Sequence, residues 1–163
     1  MKDLKKETMV IISLIVLAVA SRLLPHPPNF APITGIALFA AAKFQSKLTA
    51  LLLPIVCLFM TDLILGLGWI NLVVYGAFGM ISLVGFLTKK VRIQTVLLSS
   101  IVFFVVSNLG VWVLYYPLTL EGFMTCFTLA IPFFTNTLLG DMAYTAMLFY
   151  SFSTVKKTYL RTA

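Results

Sequence analysis

The sequence is poor in the residues on which most enzymes and metal sites depend. It has one histidine, two cysteines and five acidic residues in 163. One histidine excludes the paired-histidine zinc helix, and neither a Gly-x-Ser-x-Gly elbow nor a phosphate-binding glycine loop followed by lysine is present. Cys57 and Cys126 lie inside apolar segments without metal-ligand spacing, so we expect them to pack rather than to form a disulfide or zinc site. We therefore predict no enzyme, no cofactor and no metal.

Charge is also scarce. Charged residues make up 10% of the chain and hydrophobic residues 61%, which is typical of a polytopic membrane protein and not of a soluble domain. The net charge of +7 could suggest nucleic acid, but the basic residues stand in small clusters between apolar runs, so we expect a lipid bilayer and no nucleic acid as partner. The clusters are Lys2, Lys5 and Lys6; Lys43 and Lys47; Lys89, Lys90 and Arg92; and Lys156, Lys157 and Arg161.

The apolar runs predict an all-α transmembrane domain covering residues 1–163, with six crossings and both termini on the cytoplasmic side. This topology places all four basic clusters inside, and we expect the inner membrane of a bacterium. The start resembles a signal peptide, but we expect an uncleaved first helix, since its loss would leave an odd number of crossings. The predicted helices are Met9 to Leu24, Ile33 to Phe44, Leu48 to Leu65, Trp69 to Thr88, Ile93 to Tyr116, a short surface helix from Gly122 to Ala130, and Phe133 to Val155 after a break at Pro132.

A proline-rich segment, residues 22–32, interrupts the apolar sequence between the first two predicted helices. It holds four of the seven prolines and the histidine. Proline lacks a backbone donor and disfavours helical geometry in the residue before it, so we expect an irregular outer connection. Because lipid cannot satisfy free backbone groups, this connection must face water, a cavity or protein. The second helix is short against the roughly 20 residues of a crossing, so we expect the segment to complete that crossing.

The polar residues of the apolar runs all map to the outer half. Ionisable residues inside a membrane are costly and are functional candidates by default. We predict an outward-facing pocket that binds a small solute, with aromatic walls and a few converging polar groups. The candidate substrate-binding residues are Arg22, His26, Asn29, Asp62, Trp69, Asn108, Trp112, Asn136 and Asp141.

Structural roles remain open for these residues. Arg22 could extend to the interface or pair with Asp62 or Asp141, and the asparagines could join helices by hydrogen bonds. The two aspartates could form structural pairs, or an intramembrane dyad whose usual flanking motifs are absent. The small-residue spacing Ala37/Ala41 favours close packing within the protein over a partner interface.

Five stretches of the sequence resemble a family of small, largely uncharacterised bacterial integral membrane proteins. They are residues 22–33 with the proline-rich segment, 37–40, 61–66 (Thr-Asp-Leu-Ile-Leu-Gly), 107–112 (Ser-Asn-Leu-Gly-Val-Trp) and 132–141, which ends in Leu-Leu-Gly-Asp. The resemblance covers nearly the whole chain. It implies a family and no particular function.

The chain is more distantly similar to the S components of energy-coupling-factor vitamin transporters. That likeness implies a six-helix subunit that captures a vitamin or related micronutrient from outside, and a transmembrane coupling subunit with two ATPases as partners. The S components dock through an alanine spacing in their first helix, whereas Ala37/Ala41 lies here in the second.

Our leading hypothesis is a substrate-binding subunit of this type, holding a small polar or heteroaromatic solute. The alternatives are a self-contained homo-oligomeric transporter or channel, and a membrane scaffold whose outer polar residues are structural. The sequence does not decide the charge of the solute, because Arg22 and His26 suit an anion whereas Asp62 and Asp141 suit a cation.

Overall fold

The structure, a computed structural model, describes residues 2–88 and 90–160, and the side chains of 6–88 and 90–158. Lys89 and Arg161 of the basic clusters lie outside the described residues. Six α-helices and a π-helical turn account for the regular structure of the described chain, which contains no strand. They are α1 (Lys2–Ser21), α2 (Ile33–Lys43), α3 (Lys47–Leu65), α4 (Trp69–Leu87), α5 (Ile93–Tyr115), α6 (Leu120–Val155) and the turn Lys156–Leu160.

The short helix α2 forms the centre of the protein. Its residues from Ile33 to Ala40 are all buried, and each of the other five α-helices contacts it. A helix that is apolar on every side is stable only when it is surrounded. With about 1.5 Å of rise per residue it is roughly 16 Å long, about half of a hydrocarbon core. The predicted short second helix is thus confirmed, and the proline-rich segment continues from its upper end.

Small residues let the neighbours of α2 approach its backbone. A Cβ atom added at Gly35 would lie 3.0 Å from the Thr145 backbone nitrogen of α6, and one at Gly85 would lie 2.7 Å from the Ala41 Cβ. Ala37 is fully buried. The Ala37/Ala41 spacing therefore serves packing inside the protein, as the sequence favoured.

Helix α6 corrects the prediction of two separate helices after Glu121. It runs unbroken from Leu120 to Val155 through Pro132. The reason is packing on both sides of the proline: the Phe104 ring of α5 contacts Phe127 before it, at a centroid distance of 5.7 Å, and Phe134 after it, at 4.9 Å. The helix is about 54 Å long, more than the roughly 30 Å of hydrocarbon, so it must tilt or extend beyond it.

The surface indicates a multi-pass membrane protein. Helices α3, α4, α5 and α6 are each long and apolar enough to cross a bilayer, and α2 is a shorter apolar helix. At most 33% of the most apolar window of each long helix is buried inside the protein. Large side chains such as Ile64, Leu87 and Leu139 are more than half exposed, as expected where lipid surrounds the helices. Helix α1 begins with a polar turn, and its apolar part is shorter than a complete crossing.

The basic clusters gather at one end of the bundle. Lys156 Nζ lies 2.9 Å from Glu7 Oε1, which joins the end of α6 to the start of α1. Lys43 Nζ stands 4.2 Å from the Phe152 ring centroid, and Lys43, Lys47 and Lys90 line one groove. We call this the basic end. Arg22 and the residues around it lie at the opposite end, because α1 and α3 both start at the basic end and their far ends meet in the Arg22–Asp62 ion pair.

Candidate functional site

The proline-rich segment forms a folded cap over the end of the bundle opposite the basic end. The Phe30 backbone N–H donates to the Pro27 carbonyl at 3.0 Å, and Asn29 between them adopts a left-handed conformation with φ of 64°. The two ring nitrogens of His26 lie 2.9 Å from the Pro27 carbonyl and 3.1 Å from the Arg22 carbonyl. His26 therefore holds the shape of the segment, and both of its nitrogens face backbone oxygens.

Helix α6 supports this segment from below. Gly140 has no side chain, and a Cβ there would lie 3.1 Å from Phe30 Cα and from the Ala31 nitrogen. The Phe30 ring packs on Tyr144 with centroids 5.7 Å apart, and the Ser21 hydroxyl donates to the Tyr144 hydroxyl at 3.0 Å. The segment is thus fixed against α6 at its two ends.

Arg22 and Asp62 form a buried ion pair between the end of α1 and the end of α3. Arg22 Nη2 lies 2.7 Å from Asp62 Oδ1, and Nη1 donates to the Thr61 hydroxyl. The Asp62 side chain is 3% exposed and that of Arg22 16%. Of the interpretations left open for Arg22, the structure shows the pairing with Asp62.

The second oxygen of the Asp62 carboxylate is also satisfied. The Asn71 amide donates to Oδ2 at 2.7 Å and the Tyr75 hydroxyl at 2.9 Å. Asn71 in turn accepts the Gly68 backbone N–H at 3.0 Å, which caps the start of α4. Asp62 therefore joins α1, α3 and α4, and both of its oxygens have donors.

Asp141 has a different environment. It is 2% exposed, on α6 beside the start of α2. The Ser100 hydroxyl of α5 donates to Oδ2 at 2.6 Å, and Thr34 of α2 is a second hydrogen-bonding side chain. The ion pairs among the described residues are Arg22 with Asp62 and Lys156 with Glu7, so Asp141 has no basic partner there. The two aspartates have separate partners and do not form the dyad considered from the sequence.

A cavity of about 210 Å³ opens beneath the proline-rich segment, and we call it the outer cavity. The start of α2 forms its floor, and α3, α4, α5 and α6 contribute walls. Asp62 does not line it, because its carboxylate is enclosed by the three donors described above, which come from Arg22, Asn71 and Tyr75. The lining residues are Arg22, His26, Asn29, Ala31, Ile33, Thr34, Leu58, Leu65, Val74, Phe78, Phe103, Thr137 and Asp141.

A second cavity of about 160 Å³ adjoins the first. It lies between α4, α5 and α6 and shares Asn29, Phe103 and Thr137 with the outer cavity, among other residues. Asn108 lines it, although the Asn108 amide also donates to the Phe104 carbonyl at 2.7 Å. The structure thus brings Arg22, His26, Asn29, Asn108 and Asp141 to one connected region.

Besides Asp62, three predicted site residues lie outside both cavities. Trp69 is 76% exposed at the start of α4. The Trp112 indole donates to the Pro117 carbonyl at 3.0 Å and so closes the turn between α5 and α6. Asn136 is half-buried on α6, one position before Thr137. The sequence placed these residues at the correct end of the bundle, but they do not line the outer or the adjoining cavity.

Sequence reasoning missed the hydroxyl residues of the site. Thr34 and Ser100 surround Asp141, Thr137 lines both cavities, and Thr61 binds Arg22. Serine and threonine are common in membrane helices, where they bond to their own backbone, so each gives little signal alone. The spacing of Asp141 four residues after Thr137, on one helix face, was the available hint.

Comparison with known proteins places the chain in a family without assigning its activity. No curated protein matches it, and no solved structure matches it either. A family of unknown function, DUF6580, matches residues 2–162, in agreement with the likeness to an uncharacterised family. Since this match spans nearly the whole sequence, the chain belongs to the DUF6580 family.

Proposed function

We propose that this protein captures a small solute in the outer cavity, as the substrate-binding membrane subunit of an uptake system similar to S components. The observation that supports this most is the cavity itself, which lies under a folded cap and contains a buried carboxylate that has no basic partner among the described residues. A volume of about 210 Å³ is below the roughly 300–1,000 Å³ of pockets for drug-sized ligands. The solute is therefore small, with a polar group and an apolar or aromatic part.

The proposed orientation has the basic end in the cytoplasm of a bacterium and the cap outside. Lysine and arginine concentrate on the cytoplasmic side of membrane proteins, and the clusters that the structure describes share one end. Asn29 and His26 are exposed at the opposite end, at the mouth of the cavity. A solute would enter from the external side.

A scaffold role agrees less well with the two aspartates. A purely structural cluster would satisfy both carboxylates, as it does for Asp62. Asp141 is equally buried but borders an open space, and its donors among the described residues are hydroxyls. Buried charge without a partner is costly and is retained where it has a use.

Release into the cell would depend on partners. The central helix α2 is apolar from Ile36 to Ala40, and the buried charged side chains of the described residues are Asp62 and Asp141 alone. We propose a transmembrane coupling subunit with ATPases, as the likeness to S components implies. Ala37 is fully buried and Ala41 packs against Gly85 of α4, so such a subunit would contact another surface.

The proposal is tested with a cavity-filling substitution. Thr137→Phe places a ring in both cavities, whereas Thr135→Phe adds the same ring at an exposed position of α6. The small-molecule fraction of a cell extract should raise the melting temperature of the native chain and of Thr135→Phe, by roughly 5 °C for a ligand near 100 times its dissociation constant. Thr137→Phe should show no increase.

A transport assay with the same protein distinguishes the proposed function from the other two. In proteoliposomes that contain this chain alone, we expect binding of the active fraction without accumulation. Accumulation would favour the self-contained transporter. An equal response of Thr137→Phe and the native chain, or no response of either, would favour the scaffold.

A further inference from the structure

We infer that the solute held in the outer cavity carries a cationic group, and that this group pairs with Asp141. The inference rests on the proposed function and adds the class of ligand: a small organic cation such as an aromatic ammonium or a cationic nitrogen heterocycle. The sequence left the charge open, and the partners of each charged side chain decide it.

The two buried aspartates differ in their partners. Asp62 and Asp141 are each 2% exposed. Asp62 has the Arg22 guanidinium at 2.7 Å and donors on its other oxygen, whereas Asp141 has the hydroxyls of Ser100 and Thr34. A carboxylate can accept about four hydrogen bonds, so Asp141 keeps acceptor capacity for a ligand.

The ionisable side chains that line the outer cavity are those of Arg22, His26 and Asp141. Arg22 is already paired with Asp62. Both ring nitrogens of His26 face backbone carbonyls, and His26 stands at the exposed mouth where water screens charge. Apart from Asp141, the remaining lining residues are uncharged. The uncompensated charge in the interior of the cavity is therefore that of Asp141.

The start of α2 lies beside Asp141 and supplies partial positive charge but no cationic side chain. Thr34 belongs to the first turn of α2, where free N–H groups amount to about half a positive charge. The Ser100 hydroxyl and the Thr34 side chain are neutral hydrogen-bonding partners of Asp141. Among the described residues no basic side chain pairs with Asp141, so a cation in the cavity would be its first fully charged partner.

Two phenylalanines also line the outer cavity. Phe78 and Phe103 have ring centroids 5.2 Å apart with planes inclined at 38°, and both line the outer cavity. Aromatic faces attract cations and stack on flat rings. A carboxylate and aromatic rings in the lining of one cavity suit a flat cation better than an anion.

Three probes of nearly equal shape test this on the full-length chain in a zwitterionic bilayer disc: benzylammonium, benzyl alcohol and benzoate. Benzylammonium should raise the melting temperature and the other two should not. In Asp141→Asn, the benzylammonium concentration needed for the same rise in melting temperature should be at least about tenfold higher. A tenfold change corresponds to the loss of a modest interaction. Glu121→Gln, which removes an exposed acid from the same helix outside the cavity, should behave like the native chain.

Stabilisation by benzoate or benzyl alcohol equal to that by benzylammonium would overturn the inference, as would an unchanged response of Asp141→Asn. If Asp141→Asn does not fold, the ranking of the three probes on the native chain still decides. Failure of all three probes overturns the cationic class, whereas the proposed function stands or falls separately with the cell-extract experiment on Thr137→Phe.

Discussion

Replacement of Asp62 by alanine is expected to lower the free energy of unfolding by about 3–5 kcal/mol, because it leaves the mostly buried Arg22 guanidinium without its partner. The substitution also removes the acceptor for Asn71 and Tyr75, so that α1, α3 and α4 lose their common contact. A reversible unfolding titration in mixed detergent micelles measures the change.

The exposed pair at the basic end supplies the matched control. Glu7→Ala breaks the ion pair with Lys156, whose side chain is 51% exposed, and we expect a loss below about 1 kcal/mol. The double substitution Arg22→Ala with Asp62→Ala should lower the free energy of unfolding by less than the sum of the two single substitutions. The reason is that the double variant leaves neither charge without its partner. Similar small losses for Asp62→Ala and Glu7→Ala would show that Asp62 does not hold these helices together.

Gly35→Ala is expected to destabilise the protein by about 1–3 kcal/mol even though alanine is the better helix former. The added Cβ would lie 3.0 Å from the Thr145 nitrogen and 3.1 Å from the Tyr144 carbonyl carbon, which are backbone atoms of α6 and cannot rotate away. The central helix α2 must then move from α6, and the floor of the outer cavity moves with it.

Gly76→Ala provides the comparison of opposite sign. Gly76 is exposed on α4, and no atom lies within 4 Å of an added Cβ. We expect a gain of up to about 1 kcal/mol from helix propensity. Melting temperatures of the two variants in one detergent measure the difference, and a Gly35→Ala protein at least as stable as Gly76→Ala would contradict the close packing of α2 on α6.

The helices were predictable from the sequence where local signals agree with packing. Apolar runs bounded by Gly66, Pro117 and the basic clusters placed α3, α4 and α5 within a residue or two, and the four prolines placed the cap. Helix α1 starts earlier than predicted, at Lys2, because a charged turn continues the helix beyond the apolar run. The predicted break at Pro132 was wrong because contacts of Phe104 with rings on both sides of the proline oppose the local effect of the proline. These contacts join distant positions and are not part of any local sequence pattern.

The candidate site was predictable as a set of residues at one end, but not as a set of partners. Arg22 and Asp62 are 40 positions apart and Ser100 and Asp141 are 41 apart, so the choice of partner depends on the arrangement of helices around α2. That arrangement separates the aspartates into one that is enclosed by donors and one that faces a cavity. Trp69 and Trp112 are at the same end but point away, which only the rotation of each helix decides.

The most direct test of the central claim, a cavity open to the side opposite the basic end, is the reactivity of Thr137→Cys with a small membrane-impermeant cationic thiol reagent. The native Cys57 and Cys126 are buried, so the native chain gives the background. We expect the new thiol to react when the reagent is added outside intact cells or right-side-out vesicles, and to be protected by bound solute. Absence of reaction in the folded variant, or reaction only from the side of the basic clusters, would contradict the account.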